Sequence, residues 1–140
     1  MAIRDLMTRG VEVVKPDDNL VAAAKKMADL DIGFVPVCDG ERLVGALTDR
    51  DITVRATAEG RDPQTTKVSE VMSPDVTYCM EDEDIDQTAR RMKEKQLRRV
   101  LVVDRDKKLV GVVSLGDLAR QQEGQSADVL ESVSEAPPTK

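Results

Sequence analysis

The chain contains itself twice, and this repeat constrains its fold more than any other feature. Ile3–Ile52 aligns with Val68–Leu118 at an offset of 65 residues up to Asp39/Asp104, and of 66 from Leu43/Leu109 onward. One residue is therefore inserted in the turn around Arg105 and Asp106. Twelve positions are identical, among them Met7/Met72, Asp17/Asp82, Met27/Met92 and Val37/Val102, with Leu43-Val44-Gly45 repeated as Leu109-Val110-Gly111. Asp51/Asp117 is also identical, and Thr48/Ser114 is a conservative pair. A copy of about 50 residues is marginal on its own because too little of its surface can be buried. The two copies are expected to pack as one pseudo-symmetric module.

Each copy carries the same pattern, β-α-β-β-α. A short apolar-polar start (Ile3–Met7, Val68–Met72) leads to a small strand, expected at Glu12–Val14 and at Val76–Cys79. Acidic turns follow, Asp17-Asp18 and Glu81–Asp84, suited to cap a helix and to face its positive end. The first helix carries Leu20, Ala23, Ala24, Met27 and Leu30 at helical spacing, and its counterpart carries Ile85, Ala89 and Met92. Two aliphatic strands come next, Phe34–Cys38 and Leu43–Leu47 around Asp39-Gly40, then Val100–Val103 and Leu109–Val113 around Asp104–Lys108. A second helix is expected to start near Asp49 and near Leu115. The fold class is α+β. The organisation expected is a first repeat over 1–60 with the start of the connector, a second over 61–122, and a polar tail over 123–140. Ser126 is placed to cap a short helix in that tail, over 127–134.

Composition narrows the chemistry. The chain has no His, which removes Ser-His-Asp and Cys-His catalysis and the usual zinc ligand. Lys and Arg number 21 against 27 Asp and Glu, a net charge of −6 that disfavours nucleic acid as a partner. Phe34 and Tyr78 are the only aromatics, too few for base stacking. No apolar run approaches the roughly 18 residues of a membrane span, and the start has no signal-peptide core. A cytoplasmic protein without membrane contact is the expectation. Cys38 and Cys79 align with Val103 and Val14, so both read as small core residues. The acidic run Glu81–Asp84 lacks the alternation of a calcium loop. There is no phosphate-binding GxxxxGK[ST] and no GxGxxG. Neither a metal site nor a catalytic residue is expected, and the chain does not read as an enzyme.

The most informative stretches are Gly45-Ala46-Leu47-Thr48-Asp49-Arg50-Asp51 and Gly111-Val112-Val113-Ser114-Leu115-Gly116-Asp117. Both read Gly-apolar-apolar-Thr/Ser-x-x-Asp where a strand enters a helix. Thr48 and Ser114 stand at an N-cap, where free backbone N–H groups also suit an anion. Asp51 and Asp117 follow one turn along, and a fixed carboxylate can accept both hydroxyls of a ribose. Phosphate at the cap and ribose at the Asp together describe a nucleotide. The alternative is an ordinary capped helix with an acidic first turn. Recurrence at equivalent positions favours the ligand.

These segments resemble a tandem pair of CBS (cystathionine β-synthase) domains, a Bateman module. The resemblance covers residues 3–122. It rests on Asp-Leu-Met-Thr and Glu-Val-Met-Ser, Gly33-Phe-Val-Pro-Val and Arg98-Arg-Val-Leu-Val-Val-Asp, and the two Gly-x-x-Thr/Ser-x-x-Asp stretches. Leu47–Ile52 through Ala58–Pro63 is similar to the stand-alone bacterial CBS-pair proteins of the hypoxic response protein group. The resemblance implies a non-enzymatic regulatory sensor that binds an adenosine nucleotide in clefts between its repeats and signals through conformation or a protein partner. It implies no cofactor beyond that ligand, and it implies a homodimer. Thr48, Asp51, Ser114 and Asp117 would contact phosphate and ribose. Adenine would lie against Thr8–Glu12 (Gly10, Val11 and Glu12 among them) and Phe34–Val35 in the cleft using Asp117. Ser73–Tyr78, with Val76, and Val100–Leu101 would serve the cleft using Asp51. Arg99 is placed to meet phosphate. Arg98 replaces a frequent family His, and Arg50 is a weaker candidate. Because Gly33-Phe34 stand where the second copy has Arg98-Arg99, unequal sites are expected. The alternative function is a ligand-free scaffold with vestigial clefts.

Overall fold

A computed structural model of the chain describes residues 1–121. It divides into two compact units, each of which takes residues from both repeats. Unit I comprises Val11–Thr77 and Arg105–Leu109. Unit II comprises Met1–Gly10, Tyr78–Asp104 and, among the described residues, 110–121. The expected tail and its helix at 127–134 lie outside the described residues.

Unit I starts with a single parallel bridge from Val14 to Val37. Helix α1 (Leu20–Leu30) then turns Leu20, Ala23 and Met27 inward. Strands β1 (Phe34–Asp39) and β2 (Arg42–Thr48) pair antiparallel, with Phe34 opposite Thr48. Gly40, at φ +63°, closes the turn between them. The short helix α2 (Asp49–Asp51) continues directly into a π-helical turn, Ile52–Thr57. Helix α3 (Val68–Val71) buries Val68 and Val71 in the same core as Val14, Leu20, Val35, Val37 and Leu47.

Unit II repeats this plan. Strand β3 (Tyr78–Met80) pairs parallel with β4 (Arg99–Val103), and β4 lies between β3 and β5 (Leu109–Ser114). Helix α4 (Ile85–Glu94) buries Ile85, Thr88, Ala89 and Met92. A further helix covers 115–121, where the described residues end. Ile3 lies in this core with Cys79, Val100, Val102 and Leu118.

The two starting segments are exchanged. Ser73, from the second repeat, forms a reciprocal backbone pair with Ala46 of β2 (2.9 and 2.8 Å). Thr8, from the first repeat, forms the equivalent pair with Val112 of β5 (2.8 and 3.0 Å). Ala46 and Val112 are equivalent positions, as are Ser73 and Thr8, so the exchange is mutual. It also explains the motif glycines. A Cβ on Gly45 would lie 2.9 Å from the Met72 sulfur and 2.9 Å from the Ser73 carbonyl oxygen. On Gly111 it would lie 2.8 Å from the Met7 sulfur and 2.8 Å from the Thr8 carbonyl oxygen.

Several local expectations shift. Asn19, not Asp17 or Asp18, caps α1, accepting from the Ala22 N–H at 2.9 Å. Asp18 turns back to accept from the Lys15 N–H (2.9 Å). In the second repeat Asp84 caps α4 as the acidic turn suggested. The expected strand at Glu12–Val14 reduces to the Val14 bridge, since Lys15–Asp18 already turns. The one at Val76–Cys79 begins later, at Tyr78, where its partner Leu101 is available.

Cys79 is fully buried in β3. Burial first, then the nearby Glu83 charge, push its thiol up to about 12, with Arg91 acting against them. The ordinary thiol value is about 8.5. An acid whose folded value is raised stabilises fully below its unfolded value and loses that contribution as pH climbs toward the folded one. Stability is therefore expected to fall above pH ~8.5, by up to about 1.4 kcal/mol per pH unit for this group. Cys79→Val, which installs the residue of the equivalent Val14, should give a shallower alkaline slope in urea titrations at stepped pH. Identical slopes would contradict this account.

Candidate functional site

Strand β2 ends at Thr48, whose backbone is still extended (φ −112°, ψ 161°), and the helix begins at Asp49. The Thr48 hydroxyl accepts from the Asp51 N–H at 3.0 Å. The Asp51 carboxylate accepts in return from the Thr48 N–H at 3.0 Å. This reciprocal box satisfies two backbone donors that the helix start would otherwise leave open. It also fixes the carboxylate of a residue that is only 8% exposed. The Ser73 hydroxyl reaches both Asp51 oxygens at 3.4 Å. The Arg55 Nε stands 3.9 Å from Oδ1. Arg55 also donates to the Val71 and Met72 carbonyls at 3.4 and 3.3 Å, tying the helix to the exchanged segment.

Unit II builds the hydroxyl half of this corner. The Ser114 hydroxyl accepts from the Asp117 N–H at 3.0 Å. Arg120 pairs with the Asp117 carboxylate. The Leu115 N–H donates to the Arg98 carbonyl at 2.7 Å, as the Asp49 N–H donates to the Gly33 carbonyl at 2.9 Å.

The units thus group the sequence candidates. Thr48, Asp51, Ser73, Phe34, Val76, Val11 and Glu12 fall in unit I, and Ser114, Asp117, Arg98, Arg99, Val100 and Gly10 in unit II. Phe34 lies opposite Thr48 in the strand register. The Val100 side chain belongs to the core of unit II, so its backbone is what it can offer a ligand. Arg98 and Arg99 are exposed. Glu12 pairs with Lys26 at 3.8 Å. Arg55 and Arg120 were missed from sequence. Their spacing from the aspartates, four and three residues, places them on the same helix face and was the available signal.

A model of the CBS domain matches residues 3–56 and again 68–124. The chain belongs to the CBS-domain family. Hypoxic response protein 1 of Mycobacterium tuberculosis is 41% identical to this CBS pair over 118 residues, covering 84% of the chain and 82% of that protein. A crystal structure of hypoxic response protein I with two coordinated zinc ions superposes with a TM-score of 0.76 at 39% identity, covering 86% of this chain and 98% of that one. CBSX2 of Arabidopsis thaliana, solved in complex with AMP, gives a TM-score of 0.73 at 25% identity, covering 89% and 98%. The CBS pair of protein MJ0100, solved with 5′-methylthioadenosine and S-adenosyl-L-methionine, gives 0.69 at 27%, covering 89% and 98%.

The chain has no His, and Cys38 and Cys79 are buried within strands. Among the described residues no group of three or more His, Cys, Asp or Glu is placed to hold a metal ion. No helix among the described residues is long and apolar enough to cross a membrane.

Proposed function

We propose that the protein is a non-enzymatic sensor that binds adenosine compounds at the Asp51 and Asp117 corners. The observation that carries this reading is the hydroxyl–aspartate cap repeated in both units, Thr48 with Asp51 and Ser114 with Asp117, each at 3.0 Å. The carboxylates accept the two ribose hydroxyls, and the strand-to-helix junction holds the end of the ligand beyond the ribose. The Ser73 contacts at 3.4 Å are long for O–H···O bonds, so a ribose displaces them at little cost. The AMP and methylthioadenosine complexes of the CBS pairs described above support the same ligand class. The sensor responds because its ligand binds one conformation better than another, and only that difference moves the equilibrium. The readout is then a protein partner or the conformation itself.

Thermal unfolding with adenosine, AMP, ADP, ATP and S-adenosylmethionine tests this, with Asp51→Ala and Asp117→Ala beside the wild type. A ligand at about a hundred times its Kd adds roughly 2.7 kcal/mol and moves the midpoint by several degrees. A shift reduced in one variant identifies the working corner. No shift with any compound, in a folded protein, would reject the reading in favour of a ligand-free scaffold.

A further inference from the structure

We propose that Asp49 sets the ligand class of the Asp51 corner: adenosine compounds that carry no phosphate at the 5′ end. This rests on the adenosine-binding reading above and assigns a specificity residue within it. The donors available at the junction are the Thr48 hydroxyl and the first free backbone N–H groups. Asp49 takes one of them itself, since its Oδ1 accepts from the Arg50 N–H at 2.8 Å. Its Oδ2 lies along Gly33, 2.7 Å from where a Cβ on that residue would stand. The Asp49 N–H donates to the Gly33 carbonyl at 2.9 Å. A negative charge is thus fixed at the junction a 5′-phosphate would need.

The corresponding corner in unit II reverses this arrangement while keeping the backbone bond. Leu115 stands for Asp49, Gly116 for Arg50, Arg98 for Gly33 and Arg99 for Phe34. The carboxylate is gone, and two exposed arginines hold the positions of Gly33 and Phe34. The exchanged segments differ in the same sense, with Asp75 where the first repeat has Gly10. Over distances shorter than a Debye length, about 8–10 Å, such charges act directly on a phosphate. The Asp51 corner repels a 5′-phosphate and accepts an uncharged or cationic 5′ substituent.

Isothermal titration of the full chain carrying Asp117→Ala, which leaves the Asp51 corner to be read, tests this with adenosine and AMP. Adenosine is expected to bind about tenfold or more tightly than AMP at low salt, with the gap narrowing as salt rises. Asp49→Asn, and Asp49→Leu copying the second repeat, should close the gap by strengthening AMP more than adenosine. AMP binding as well as adenosine with Asp49 present would overturn the inference. So would a ratio that neither variant moves, or both variants weakening the two ligands equally. Binding by the wild type but not by Asp117→Ala would overturn it while sparing the sensor reading. Binding by neither would remove both.

Discussion

Replacing Leu47 with alanine should lower stability by about 2–5 kcal/mol, a large share of the 5–15 kcal/mol that holds a typical domain together. Leu47 is fully buried in β2, opposite Val35, in the core that also contains Val14, Leu20 and Ala56. Strand pairing fixes the backbone on that side, so the cavity cannot close by collapse. Leu30→Ala is the matched control. Leu30 ends α1 at 42% exposure, and alanine is at least as good a helix former. Its loss should stay within about 0.5 kcal/mol. Urea titration followed by far-UV circular dichroism suits a chain without Trp. Equal losses in the two variants would contradict the burial described for Leu47.

Alanine at Gly45 or Gly111 should cost about 1–3 kcal/mol, from overpacking rather than from backbone conformation. The added methyl group would meet a sulfur, which can swing aside, and a carbonyl oxygen, which cannot. That oxygen belongs to Ser73 or Thr8 and is held by the reciprocal pair to Ala46 or Val112. Gly116→Ala is predicted to go the other way. The nearest atom to its Cβ is 3.6 Å off, an ordinary contact, and helix propensity favours alanine by up to about 1 kcal/mol. Thermal midpoints of the three variants give opposite signs if the exchanged segments pack as described. A neutral Gly45→Ala would mean that Ser73 is free to withdraw.

Much of this was legible in the sequence because the repeat supplied two readings of every element. The strand expected at Phe34–Cys38 is Phe34–Asp39, and the helix expected from Leu20 to Leu30 has those limits. Apolar periodicity and the turn at Asp39-Gly40 sufficed there. The cap pairs Thr48–Asp51 and Ser114–Asp117 were legible too, since capping is local and its spacing is fixed. The exchange of the starting segments was not. Met7 and Met72 repeat in register whichever unit they join, and periodicity carries no information about a partner far along the chain. Asn19 escaped notice because two acidic residues precede it, and any of the three suits a cap. Asp49 reads as one more acidic first-turn residue until its carboxylate is seen lying along Gly33.

The exchange also sets an order of assembly during synthesis. By the time Thr77 has been made, unit I lacks only Arg105–Leu109. Residues 1–10, made before unit I, find their first partners only at Glu81–Ile85, where the Ile3 and Arg4 N–H groups donate to the Glu83 and Glu81 carbonyls, and Thr8 waits for Val112 of β5. At translation rates of about 5–20 residues per second, Ile3 and Leu6 remain uncovered for seconds. A segment made before unit I is thus sheltered after it, and deleting residues 1–10 would damage the core of unit II.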